Sequence, residues 1–263
     1  MNEIEESIKR VEAIIPASLR KLQERIDRII PPFVQQLNYK SQGLNKAFEP
    51  FLNNLNTTMV KIAKSAERWQ IARKEDVTVM AENGWYPNWF TFVYFPEEKP
   101  TSVDEMMINH LNEHWEEITE KILELCPNRK HILENAFELH KEGNYIASIS
   151  LFLSQADGIC CEVLKSFLFT GNTTEERLKE LIEKGEIEAT MFTDVFLEPF
   201  KLKNHYNAGM LKSSLKAKNK APNRNGILHG YRKHLDYGTE INSLKSFSLL
   251  SFIVYTTKDL ING

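Results

Sequence analysis

The 263-residue chain predicts an all-α fold, a helical bundle, on three observations. Apolar residues recur at three- and four-residue steps through most of its length, which places them on single helix faces. Ser, Thr or Asn precedes several of these runs, where a side-chain oxygen can accept an orphan backbone N–H. Two-residue alternation, the mark of a half-buried strand, is confined to one short aromatic segment.

The first helix face carries Val11, Ile14, Ile15, Leu19, Leu22, Ile26, Ile29 and Ile30; Pro16 should kink it and Pro31-Pro32 stop it. A second face, Phe48, Leu52, Leu55, Met59, Ile62, Ala66 and Trp69, would pair with the first or with a second copy. The stretch 84–100 breaks this pattern with Trp85, Tyr86, Trp89, Phe90, Phe92, Tyr94 and Phe95. Its alternation over 90–95 allows an extended connection packed on the helices. A base-stacking platform is the other reading, but no Lys or Arg is interleaved.

Helices resume with Ser102 as N-cap, and Met106, Leu111, Trp115, Ile118, Ile122 and Leu125 form the next buried face, ended by Pro127. A short helix should run from Arg129 to Lys141 and close at Gly143. Tyr145 to Phe169 is the most apolar stretch and is expected at the centre of the bundle. Thr173-Thr174-Glu175-Glu176 starts another helix with capping oxygens and acid in its first turn. The last helix starts near Thr239 and carries Leu244, Phe247, Leu250, Ile253 and Val254. The expected division is an N-terminal helical region, 1–125, and a C-terminal helical domain, 126–263.

Net charge is −3, with 42% hydrophobic and 26% charged residues, ordinary values for a soluble globular chain. Cys126, Cys160 and Cys161 cannot all pair with one another, so reduced thiols are expected. The N-terminus is acidic where a signal peptide would be basic, and no apolar run is read as long enough to span a bilayer. The expectation is a cytoplasmic protein without a membrane partner. No glycine-rich phosphate loop with its lysine is present, so ATP hydrolysis is not indicated.

Charge is distributed unevenly. Nine Lys and Arg residues and no Asp or Glu lie between Glu198 and Asp236. Within that stretch Arg224, Asn225 and His229 spell R-N-x-x-x-H. Asn223 is a suitable N-cap, and the first-turn N–H groups behind it would favour an anion. Asn225 and His229 are four apart and share a helix face, whereas Arg224 lies off it. Gly230 can close the helix in a left-handed turn.

R-N-x-x-x-H near the end of an all-α domain resembles the HEPN superfamily. Segments 129–137, 143–145, 153–159, 229–230, 236–239 and 242–245 are also similar to HEPN-type proteins of phage-defence contexts, so the resemblance covers roughly the second half of the chain. It implies a dimeric, metal-independent endoribonuclease acting as a toxin or anti-phage effector, with no cofactor. His229 would move a proton, Arg224 would stabilise the pentacoordinate phosphate, and Asn225 would orient them. These roles suit the chemistry, since an imidazole titrates near neutrality and a guanidinium binds phosphate bidentately. Two copies facing across a twofold axis would supply separate acid and base. RNA is then the substrate, a second copy the expected partner, and an antitoxin or other regulatory partner is implied. A non-catalytic, dimerising module that binds RNA or nucleotides is the alternative.

Asp157 is a polar residue in the most apolar helix and needs a partner if buried; the motif arginine or histidine is expected there. Lys212, Lys216, Lys218, Lys220, Arg232 and Lys233 would hold the RNA backbone. Tyr231, two residues after His229, resembles the tyrosine modified in short HEPN toxins, although a structural or substrate-facing role is favoured here. His110, Glu113 and His114 spell H-x-x-E-H, an inverted zinc-protease pattern, but no third ligand is evident; the wet face of an amphipathic helix is the preferred reading, and no metal is expected.

Overall fold

The computed structural model describes residues 74–88, 90–91, 100–168, 173–186 and 220–257, with single residues 199, 206 and 209. The periodic faces expected before residue 74 lie outside this set. The described residues form helices, turns and loops, and no strand occurs among them. The fold is all-α. Nearly all of them belong to one compact unit, Glu75–Ile187 with Phe196–Gly263.

After a helical stretch at 74–82, the elements are α1 (Val103–Glu113), α2 (Trp115–Leu125), α3 (Lys130–Lys141) and α4 (Tyr145–Leu164). They continue as α5 (Thr173–Glu183), the short α6 (Arg224–Leu228) and α7 (Glu240–Thr256). Single-turn 3₁₀ segments occupy Pro127–Arg129 and Arg232–His234. Ser102 caps α1 by accepting the Glu105 N–H at 3.1 Å, and Thr239 caps α7 through the Asn242 N–H. The expected single helix over 102–126 is divided at His114, which leaves the helical region at φ −101°, ψ 16°. Likewise α4 stops at Leu164 and not near Phe169, because Lys165 adopts a left-handed conformation (φ 55°). Phe90 and Thr91 are helical, not extended; 92–99 lie outside the described residues.

The centre of the unit belongs to α7 more fully than to α4. Every residue from Ser243 to Val254 is buried, whereas α4 leaves Ile146 exposed at its start. α7 lies along α4, and α3 packs against α4 and reaches α7 as well. Phe247 joins the helices through rings: its centroid is 4.2 Å from Trp115, 5.8 Å from Phe137 and 5.6 Å from Phe152. Each such fully buried side chain contributes about 2–3 kcal/mol by leaving water. α4 corrects one expectation, since it is long and apolar enough to cross a membrane by length and composition. Here half of that window is buried against the unit.

An all-buried helix such as α7 must still satisfy its serines, and these fix its neighbours. Ser243 Oγ lies 2.8 Å from both His140 Nδ1 and Ser148 Oγ, tying α7 to α3 and α4. Ser248 accepts the Tyr86 N–H, and Ser251 meets the Asn88 amide. These bonds dock residues 84–88 on α7, and the aromatics Trp85 and Tyr86 are core residues.

His140, stacked on Trp115 at 4.5 Å, and His110 are buried neutral. Burial pushes His140 from the ordinary 6.5 down to about 4, and burial with the neighbouring His114 pushes His110 down to about 3. The unfolded chain therefore binds more protons than the fold below pH 6.5. This stabilisation is complete above pH 6.5 and is lost as pH falls from there through 4, by up to about 1.4 kcal/mol per pH unit for each histidine. The melting temperature should drop between pH 7 and pH 4.5, and His140→Asn should flatten the drop. Thermal melts of both proteins across that range check it; parallel pH profiles would contradict it.

Candidate functional site

The R-N-x-x-x-H segment folds into α6 and the turn behind it. Asn223 Oδ1 accepts the Gly226 N–H at 2.7 Å, the expected cap, and its carbonyl accepts the Ile227 N–H. Gly230 at φ 61° closes the turn, and the Tyr231 N–H returns to the Gly226 carbonyl at 2.8 Å. The His234 N–H then bonds the Tyr231 carbonyl. Gly226 allows this tight fold: a Cβ there would lie 2.3 Å from His234 Cδ2. Gly226→Ala should cost roughly 1–3 kcal/mol and displace the His234 ring. Urea unfolding and the His234 imidazole NMR shifts check this; wild-type values for both would contradict it.

Two of the first-turn N–H groups of α6, expected to favour an anion, are engaged within the protein. α6 has only five residues, the Gly226 N–H is taken by the cap, and the Arg224 N–H bonds the Tyr206 carbonyl at 3.2 Å. What the segment does present is a side-chain network. Arg224 Nη2 donates to Asp157 Oδ2 at 2.8 Å, and Nη1 donates to Asn225 Oδ1 at 3.1 Å. Asp157 Oδ1 accepts the Leu168 N–H at 2.9 Å. Both carboxylate oxygens are thus engaged, which explains how a carboxylate only 6% exposed sits on α4. Arg224 is itself 26% exposed at its side chain, so one face of the cluster reaches solvent.

His229 occupies the C-cap of α6, its N–H bonded to the Asn225 carbonyl, and the residue is exposed. Among the described residues its side chain joins neither Asp157, Arg224 nor Asn225 by hydrogen bond. The structure thus brings together Asp157, Arg224 and Asn225 and holds His229 about one turn away on the solvent side. Tyr231 is half-buried, with its ring 6.0 Å from that of His234. Arg232 and Lys233 are exposed on the turn that follows, and Lys220 is exposed ahead of the segment. Lys212, Lys216 and Lys218 lie outside the described residues. Leu228 and Leu235, 40% and 63% exposed, add apolar surface on either side of the His229 turn.

The H-x-x-E-H pattern has another role. His110 is fully buried, contrary to the expected wet face, and its Nε2 meets Thr91 Oγ1 at 3.1 Å. His114 stacks on Phe90 and bonds Glu117 at 3.0 Å. Thr91 and Phe90 thus lie against the two histidines, in α1 and at its C-cap. Among the described residues no group of three or more His, Cys, Asp and Glu side chains is placed to hold a metal ion. The three cysteines are free thiols; Cys126 and Cys160 are buried, and burial pushes Cys126 up to about 11.

Three residues around the site were missed from sequence. Tyr206 carries no local signal that it would reach Arg224. Gly226 lies inside the motif, but its contact with His234 depends on the turn. Lys245, a buried lysine in the apolar α7, carries the same signal as Asp157, a charge that needs a partner.

No family model, curated protein or solved structure matches the chain.

Proposed function

We propose that the chain is a metal-independent endoribonuclease of the HEPN type, with Arg224, Asn225 and His229 as its catalytic residues and Asp157 as the support of Arg224. One observation carries this reading: a guanidinium held from behind by a core carboxylate and an amide, on the same five-residue helix that ends at an exposed imidazole. Such support orients the guanidinium before substrate arrives, so that little reorganisation accompanies charge development.

In the proposed reaction His229 accepts the proton of an RNA 2′-hydroxyl. The 2′-oxygen attacks the adjacent phosphorus, and the bond to the 5′-oxygen breaks, leaving a 2′,3′-cyclic phosphate and a 5′-hydroxyl. Arg224 faces the negative charge on the phosphorane, and a second imidazole returns a proton to the departing oxygen. That second group would come from another copy of the chain, and the exposed Leu228 and Leu235 offer apolar surface for it. Arg232, Lys233 and Lys220, with Lys212, Lys216 and Lys218, would bind the RNA backbone. A cytoplasmic effector of this kind needs restraint by an antitoxin or other regulatory partner.

The test is incubation of RNA with the protein in EDTA, followed by analysis of the product ends. Cyclic phosphate termini support the reading, and intact RNA opposes it. The same cluster favours a second reading in one respect. An arginine already paired with Asp157 and Asn225 is also a strut between α4 and α6, as a non-catalytic RNA- or nucleotide-binding module would need. Salt-dependent RNA binding without products would select that reading.

A further inference from the structure

Lys245 is 5% exposed in the middle of α7, a position where an apolar side chain would avoid the cost of burying charge. Its ammonium donates to the Lys220 carbonyl at 2.5 Å, lies 3.2 Å from Asp104 Oδ1 and sits 5.1 Å over the Trp85 ring. Trp85 Nε1 donates to the same Asp104 oxygen at 2.6 Å. The Lys220 carbonyl is also the wall against which Gly84 packs, since a Cβ on Gly84 would lie 2.6 Å from it and from Ala221 Cβ. Gly84 is at φ 81°, so no other residue takes its place without strain. Its carbonyl accepts the Tyr206 hydroxyl at 3.4 Å, and the Tyr206 carbonyl accepts the Arg224 N–H.

These contacts close a ring from Lys245 through Lys220 to Arg224, and back through Tyr206 and Gly84. We propose that Lys245, with Asp104 and Trp85, is a positioning clamp that fixes the chain at Lys220 and thereby sets where Arg224 and His229 stand. The clamp and Asp157 hold α6 at different points: one contact fixes the backbone before the helix, the other the arginine side chain. The kinetic part of this proposal rests on the ribonuclease reading; the structural part does not.

Amide hydrogen exchange of the full chain tests it with Lys245→Met and Asp104→Asn. The methionine keeps the stem and removes the ammonium. The asparagine, at a half-exposed position, keeps an acceptor for Trp85 and removes the charge, so it remains informative if Lys245→Met does not fold. Amides of 224–229 should exchange about tenfold faster in Lys245→Met and by a smaller factor in Asp104→Asn, with α3 and α4 unchanged within about twofold. Faster exchange spread evenly over α3, α4 and α7, or unchanged exchange at 224–229, overturns the clamp. For RNA cleavage, kcat should fall about tenfold in Lys245→Met with KM within about twofold, the pattern of a misplaced group and not of lost binding. A wild type that cleaves no RNA refutes the ribonuclease reading alone, since the exchange result still decides the clamp.

Discussion

His229→Ala is expected to lower RNA cleavage roughly 100-fold to 10,000-fold, the usual loss when a positioned general acid–base group is removed. The fold should not notice the change. His229 is exposed, and its contacts to α6 run through its backbone N–H, which alanine retains. The variant should therefore melt within about 0.5 kcal/mol of the wild type, the usual range for surface substitutions. That separation matters, because a drop in activity without a drop in stability assigns the imidazole to chemistry. Cleavage rates in EDTA and urea unfolding of the same preparations check it. Full activity in His229→Ala would remove the residue from the mechanism, and an unfolded variant would make it structural.

Asp157→Ala is expected to be the most destabilising substitution at the site, by about 3 kcal/mol, near the low end for breaking a buried ion pair. The low end applies because Arg224 is about one-quarter exposed and water can partly replace the carboxylate. Two groups lose their acceptor: the Arg224 Nη2 and the Leu168 N–H. Removing both charged partners should be milder than removing the carboxylate alone, because no uncompensated guanidinium is left behind. The double variant Asp157→Leu with Arg224→Leu should thus unfold at a higher urea concentration than Asp157→Ala. A change below about 1 kcal/mol in Asp157→Ala would show that the pair is no more than a surface contact. Cleavage should fall in Asp157→Ala as well, since the guanidinium loses its backing.

The sequence was most informative where one residue type has few physical solutions. An aspartate inside an apolar helix must find a cation or donors, and Asp157 finds Arg224. Ser102, Asn223 and Thr239 ahead of periodic runs are caps because their side-chain oxygens meet first-turn N–H groups. The fold class followed from periodicity for the same reason. Helix ends were less legible where they depend on conformation more than composition. Lys165 turns left-handed without being Gly or Asn, and His114 interrupts a run that reads as continuous. Burial of His110 beside Thr91, and burial of α7 against α4, Tyr86 and Asn88, arise from tertiary packing, which local patterning does not encode. In the candidate site, Arg224 and Asn225 were legible as neighbours. The ring through Tyr206, Gly84 and Lys245 depends on segments far apart in the chain.

The activity proposed for this cluster is RNA cleavage through the ribose 2′-hydroxyl. The most direct measurement is cleavage in EDTA of one single-stranded RNA and of the same strand with every 2′-hydroxyl replaced by hydrogen, with wild type and His229→Ala side by side. Cleavage of the RNA by wild type alone, with 2′,3′-cyclic phosphate ends and an intact deoxy strand, is the predicted result. Cleavage of the deoxy strand, or equal cleavage by His229→Ala, would contradict it.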